Sequence, residues 1–230
     1  MDSSQRVNTV GEATDEMGRP HVGALPSGHY PIECGAGEIE RLRMQAAAMA
    51  FNADVMLDRI GVQPGWRCLD LGCGAGGILE LLGPRVGPVG LAIGLDADVA
   101  MLQAARRRID VQRVSPVTLV AGDAYGTAFR PEVFDLVHVR FVASTAGLGD
   151  ELLREALALA RPGGVLALRE SDTDALSCFP PHPAWERLKK ALQDGFTQAS
   201  GETFGLPSGG SNSCAAPGSR TSDTGPSSWG

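Results

Sequence analysis

An apolar run at residues 68–71 leads directly into Gly72, Gly74, Gly76 and Gly77, and this junction constrains the chain more than any other feature. Glycines at that density let the backbone turn sharply and leave main-chain N–H groups open to close approach at a helix start. The next stretch, 78–82, reads as that helix. Short apolar runs then alternate with longer helical ones: 91–95, 99–109, 117–121, 134–142, 152–160 and 165–168. This order predicts parallel β-α-β units and a doubly wound sheet with helices on both faces. Ligands of such sheets lie at the carboxyl ends of the strands, which confines the search for chemistry to a few loops.

On either side of this core the pattern changes. Residues 1–36 are rich in Gly, Pro, Ser and charge without periodicity and predict a mobile arm ending near Tyr30 and Pro31. Residues 38–60 predict one amphipathic helix ending before Gly61, and 183–199 predict another. The folded domain is expected over 37–200. Residues 201–230 hold 7 Gly, 7 Ser and 3 Pro, a composition that predicts a disordered tail.

Overall charge and cysteine content narrow the class. A formal net charge of −7 repels a nucleic-acid backbone, and Arg106, Arg107 and Arg108 read as a solvated helix end. Five scattered cysteines without a CxxC pair suggest neither a disulfide framework nor a zinc site, so no metal is expected and a reducing compartment fits. No apolar run reaches the ~18 residues a spanning helix needs. These features predict a cytoplasmic protein with a small-molecule partner, no nucleic acid and no membrane; they identify no oligomeric interface.

Charge also discriminates between ligands of the loop. Gly72, Gly74 and Gly77 satisfy the GxGxxG spacing of dinucleotide sites, which leaves a nicotinamide-dependent oxidoreductase as the alternative reading. Asp70, two residues before the first glycine, is expected to face a ligand over the loop and disfavours a pyrophosphate. It favours a cation such as the sulfonium and ammonium of S-adenosylmethionine. Asp96 closes the second strand, where a carboxylate can accept from both ribose hydroxyls. Gly122-Asp123-Ala124 follows the third, where a carboxylate can accept from the adenine amine.

Taken together, LDLGCGAGG at 69–77, Asp96, Gly122-Asp123-Ala124, FDLVHVR at 134–140 and RPGG at 161–164 resemble the ordered motifs of class I S-adenosylmethionine-dependent methyltransferases. GEIERLR at 37–43 and RESD at 169–172 are similar to a small-molecule branch near the ubiquinone and menaquinone biosynthesis type. The resemblance implies an α/β, Rossmann-like, mainly parallel sheet. It implies that Asp70, Gly72 and Gly74 hold the methionine moiety, Asp96 the ribose, and Gly122, Asp123 and Ala124 the adenine. Arg140 would lie near the cofactor's amino acid end and the substrate mouth.

Methyl transfer to an O, N or C nucleophile needs mainly alignment, and no catalytic residue is assigned. His138, inside an apolar run, reads as a satisfied core histidine. Glu170 and Tyr30 could touch substrate, while Cys73 has no base to activate it.

The family's sheet continues past the fifth strand with a helix and two more strands, for which this sequence has no counterpart. A reading frame displaced near Phe204 or Gly205 accounts for the change and would leave either an active enzyme or a catalytically dead cofactor-binding remnant. Reading one base earlier turns TC-type serine codons, and the TG codons of Cys and Trp, into apolar ones. Ser211, Ser213 and Cys214 then fall on a helix face, and Ser227, Ser228 and Trp229 form an apolar run. The coding DNA is therefore expected to hold an uninterrupted helix, turn and strand in the neighbouring frame; a stop codon there, read by sequencing the gene, excludes the idea.

Overall fold

Met49 divides the first predicted helix in two. In the computed structural model, which describes residues 35–171 and 175–200, α1 spans Ala36–Ala48 and α2 spans Ala50–Ile60. Gly61, at φ 75°, ends α2 with its N–H on the carbonyl of Leu57 at 3.0 Å. Such a left-handed terminus suits glycine, which has no Cβ to strain. Most of the predicted arm and the whole of 201–230, with its displaced-frame reading, lie outside the described residues.

The alternation then unfolds as expected. β1 (Arg67–Leu71), α3 (Leu79–Val86), β2 (Leu91–Asp96), α4 (Val99–Gln112), β3 (Val117–Ala121) and β4 (Phe134–Arg140) follow in turn. A short α5 (Ala143–Ala146), α6 (Gly149–Leu159), β5 (Ala160–Arg169) and α7 (Ala184–Ser200) complete the described chain. The sheet order is β3-β2-β1-β4-β5 with every pairing parallel, so the direction of winding reverses at β1. Among the described residues the sheet has these five strands, and none of the helices is long and apolar enough to cross a membrane.

Alternation along each strand divides the core between two faces. Cys68, Ala92, Leu136 and Ala167 pack with Leu79, Leu82 and Val86 of α3, Leu102 and Ile109 of α4, and Leu57 of α2. Leu69, Leu71, Ile93, Leu95, Val137 and Val139 pack on the other face with Leu152, Ala156 and Leu159 of α6. α1 lies beyond the first face, where Ile39 and Leu42 rest on Ala75, Met101 and Ala104.

β5 starts earlier than the sequence predicts because Arg-Pro-Gly-Gly at 161–164 joins the strand rather than only leading into it. The pairing with β4 is irregular there, and a Cβ on Gly164 would come within 2.9 Å of the Phe134 carbonyl. Arg161 Nε donates to Asp135 Oδ1 at 2.6 Å, while Asp135 Oδ2 accepts the Arg67 N–H at 2.7 Å. One carboxylate thus aligns the starts of β1, β4 and β5.

Gly94, in the middle of β2, leaves room for the helix above it. A Cβ there would lie 2.6 Å from Leu79 Cδ1, 2.9 Å from Cys73 Sγ and 3.0 Å from Leu119 Cδ2. Gly94→Ala is expected to destabilise the protein by about 1–3 kcal/mol through overpacking, read as a lower urea midpoint with unchanged slope.

Candidate functional site

At the carboxyl end of β1 the glycine loop turns with φ of 75° at Gly72 and 53° at Gly74. A Cβ on Gly72 would run into the Val142 side chain just beyond β4, whereas one on Gly74 would meet only Leu42 of α1, at 3.8 Å. The Leu95 carbonyl accepts the N–H groups of both Gly72 and Cys73 at 2.9 Å. Asp96 Oδ2 accepts the Gly74 N–H at 2.7 Å and Oδ1 the Asp98 N–H at 2.9 Å. Asp98 in turn caps α4, accepting from Ala100 and Met101.

Asp96 is therefore where the sequence expects it, at the end of β2 and beside the loop. Burial pushes its carboxyl up, the two N–H bonds pull it down, and the nearby Asp98 and Asp70 carboxylates add to the rise. No cation pairs with it among the described residues. That charge balance, beside a loop with open space over Gly74, fits a ligand bringing hydroxyl donors and positive charge.

Asp70 differs from its expectation. It is 4% exposed and lies within β1 beneath the loop rather than facing a ligand over it. Its strand register places it beside His138 of β4, whose Nδ1–H donates to Asp70 Oδ1 at 2.7 Å. Alternation explains the difference: β1 continues through Leu71, so Asp70 points into the face shared with Cys68. His138, 1% exposed, is the satisfied core histidine that the sequence suggests.

The third segment sits against the end of β2. The Gly122 N–H donates to the Asp96 carbonyl at 3.0 Å, and Ala124 is buried near Leu95. Asp123 is exposed and its Oδ1 accepts the Tyr125 N–H at 2.9 Å, a local turn that engages one of its two oxygens.

Arg140 ends β4, two residues beyond the His138–Asp70 pair and on the same face of the strand. Its Nη2 lies 3.3 Å from the place a Gly77 Cβ would take, so the guanidinium reaches over the glycine loop. Glu170 follows β5, and its carboxylate accepts the N–H groups of Val142, Ala143 and Ser144, all at 3.1 Å. It fastens the segment that enters α5 instead of standing free for substrate. Burial raises its carboxyl, against the lowering effect of those bonds. Burial, followed by Asp70 and Asp96, likewise pushes the Cys73 thiol well up, which removes it as a nucleophile. Tyr30 lies outside the described residues.

Arg169 of β5, beside Arg140 in the register, is a site-facing residue that sequence reasoning passes over. Its signal was present: β4 and β5 end alike, in Val-His-Val-Arg and Leu-Ala-Leu-Arg.

Comparison with known proteins identifies the family and the fold. A family model described as a methyltransferase domain matches residues 63–213. An uncharacterized 37.1 kDa protein of a Streptomyces fradiae transposon is 33% identical over 143 residues, covering 62% of this chain and 41% of that one. Demethylmenaquinone methyltransferase of Halalkalibacterium halodurans is 31% identical over 130 residues, 56% and 53% of the two chains. The chain thus spans about half the length of the curated relatives it matches. The crystal structure of a SAM dependent methyltransferase from Aquifex aeolicus shares the fold, with a TM-score of 0.56 at 21% identity over 70% of this chain and 88% of that one.

The buried Asp70–His138 pair makes a prediction of its own. His138→Ala leaves a buried carboxylate without its donor and is expected to cost about 3 kcal/mol. Chemical denaturation would read this; an unchanged midpoint would show that water replaces the imidazole.

Proposed function

The chain belongs to the methyltransferase-domain family, and from that premise we propose that it binds S-adenosylmethionine over the carboxyl ends of β1, β2 and β3 and methylates a small molecule. The observation that carries this reading is the carboxylate of Asp96, bonded to the loop N–H of Gly74 and without a cation partner among the described residues. Nothing in the comparisons favours a nicotinamide cofactor.

The roles follow from position. Asp96 accepts from the ribose hydroxyls, and Gly72 and Gly74 keep the loop backbone close to the methionine moiety. Asp70 contributes negative charge from beneath the loop, oriented by His138. Asp123 and Ala124, with Gly122, flank the adenine, and Arg140 serves the amino acid end. α1, resting on the loop through Leu42 and on α4 through Ile39, narrows the access of water.

When bound, the cofactor supplies an electrophilic methyl group on a sulfonium. The protein's part is to bring the acceptor's lone pair or carbanion into line with that methyl and to exclude water, work that alignment alone can perform. The name of one relative, a demethylmenaquinone methyltransferase, supports a quinone-type small molecule as the acceptor class. The net charge of −7 supports a partner other than nucleic acid, and the cysteine pattern supports a reducing, cytoplasmic setting.

Calorimetry with S-adenosylhomocysteine, and NADH as the parallel ligand, tests the reading. Saturable binding of the former alone is expected. Because burial raises the Asp96 carboxyl, it protonates at a higher pH than an ordinary aspartate, so as pH falls affinity is expected to weaken earlier than an ordinary aspartate would make it. Asp96→Asn should lose about tenfold or more at pH 7 through removal of a charge-assisted bond, and flatten that pH profile. NADH binding in place of S-adenosylhomocysteine, or affinity indifferent to Asp96, overturns the assignment.

A further inference from the structure

Two arginines occupy paired positions where β4 and β5 end. Arg140 and Arg169 are register partners in adjacent parallel strands, so their Cα atoms are about 4.8 Å apart and their side chains leave the same face of the sheet. Both are half-buried. Like charges in directly paired positions repel, and a fold normally places a carboxylate between them.

Here none is found. Arg41, Arg43, Arg85, Arg108 and Arg161 each hold a carboxylate at 2.6–2.8 Å, but neither Arg140 nor Arg169 has one among the described residues. The nearby acids are committed elsewhere: Glu170 to three backbone N–H groups, Asp70 to His138, Asp96 to Gly74 and Asp98. The Arg169 guanidinium feels the deficit, its proton affinity lowered by burial and then by Arg140.

We propose that Arg140 and Arg169 together form an oxyanion site that receives a carboxylate or phosphate group of a ligand bound at the carboxyl end of the sheet. Its placement rests on the methyltransferase reading, because Arg140 reaches over Gly77 of the glycine loop while Arg169 lies one strand further out, toward the side left for the acceptor. Paired planar donors bind such anions in two-pronged fashion, and desolvation strengthens the contact. The anion is an acidic group on the acceptor; the α-carboxylate of the cofactor's methionine moiety, the end already given to Arg140, is the competing occupant that the test separates.

Inorganic phosphate serves as the probe, titrated into the full chain and into Arg140→Gln, Arg169→Gln, Arg169→Lys and, as an exposed control, Arg106→Gln. Phosphate binding that weakens at least tenfold in both glutamine variants, less in the lysine variant and not in the control is the expected result. The glutamine variants should also melt no lower than the parent, since each removes a repelled charge. Phosphate that displaces S-adenosylhomocysteine but not methylthioadenosine, which lacks the amino acid, reports only the cofactor's own amino acid end and overturns the proposal. Phosphate that binds alongside S-adenosylhomocysteine assigns it to the acceptor. Phosphate binding that is absent, or equal in all variants, overturns the proposal. Failure of S-adenosylhomocysteine to bind, with arginine-dependent phosphate binding intact, would instead remove the methyltransferase reading and leave the anion site standing.

Discussion

The link between the glycine loop and the end of β2 underlies the rest of the site. A loop that turns with positive φ at Gly72 and Gly74 takes its backbone groups out of the sheet ladder, and those groups must find partners elsewhere. The Leu95 carbonyl and the Asp96 carboxylate supply them, accepting three loop N–H groups between them. Each such bond, if lost and left buried, costs about 1–3 kcal/mol. The same carboxylate holds the Asp98 N–H, and Asp98 caps α4. One acidic residue therefore sets where the crossover from β1 begins and where the next helix starts.

Along one face of the sheet the character of the side chains changes with height. At the level of Cys68, Ala92 and Leu136 the face is closed and apolar. One step up lie Asp70 and His138, buried but satisfied by each other. At the carboxyl ends lie Asp96, Arg140 and Arg169, charged and without ion-pair partners among the described residues. The polar groups are admitted in order of solvent access, which keeps the desolvation cost low deep in the sheet and leaves unspent charge where a ligand can meet it.

Much of this was legible in the sequence, for physical reasons. Parallel strands buried on both sides read as continuous apolar runs, so β1 to β4 stood out, as did the glycine loop between β1 and α3. The break at Met49 was not legible, because no Gly or Pro marks it. Nor was the early start of β5, since Arg-Pro-Gly-Gly reads as a turn until a neighbouring strand pairs with it. The position of Asp96 is legible because it closes an apolar run, whereas the direction of Asp70 is not, because an acid near a strand end points up or inward according to where the strand stops. The neighbours of Glu170 and of Arg169 come from pairings 26 to 29 residues apart, which local pattern cannot encode.

Glu170 also explains how the two sides of the site are joined. Its carboxylate gathers the N–H groups of Val142, Ala143 and Ser144, and Val142 is the residue whose side chain fills the space above Gly72. Tyr125, next to the segment after β3, donates its hydroxyl to the Gly147 carbonyl at 2.9 Å at the far end of α5. A four-residue helix with little intrinsic stability is thus held at both ends by side chains from other loops. That bracing holds Val142 where its side chain packs over Gly72. Burial works against the ionised Glu170 and the three N–H bonds work for it, so the brace persists only while the segment after β4 keeps its turn. The end of β5 is in this way mechanically continuous with the loop after β1, although β4 lies between them in the sheet.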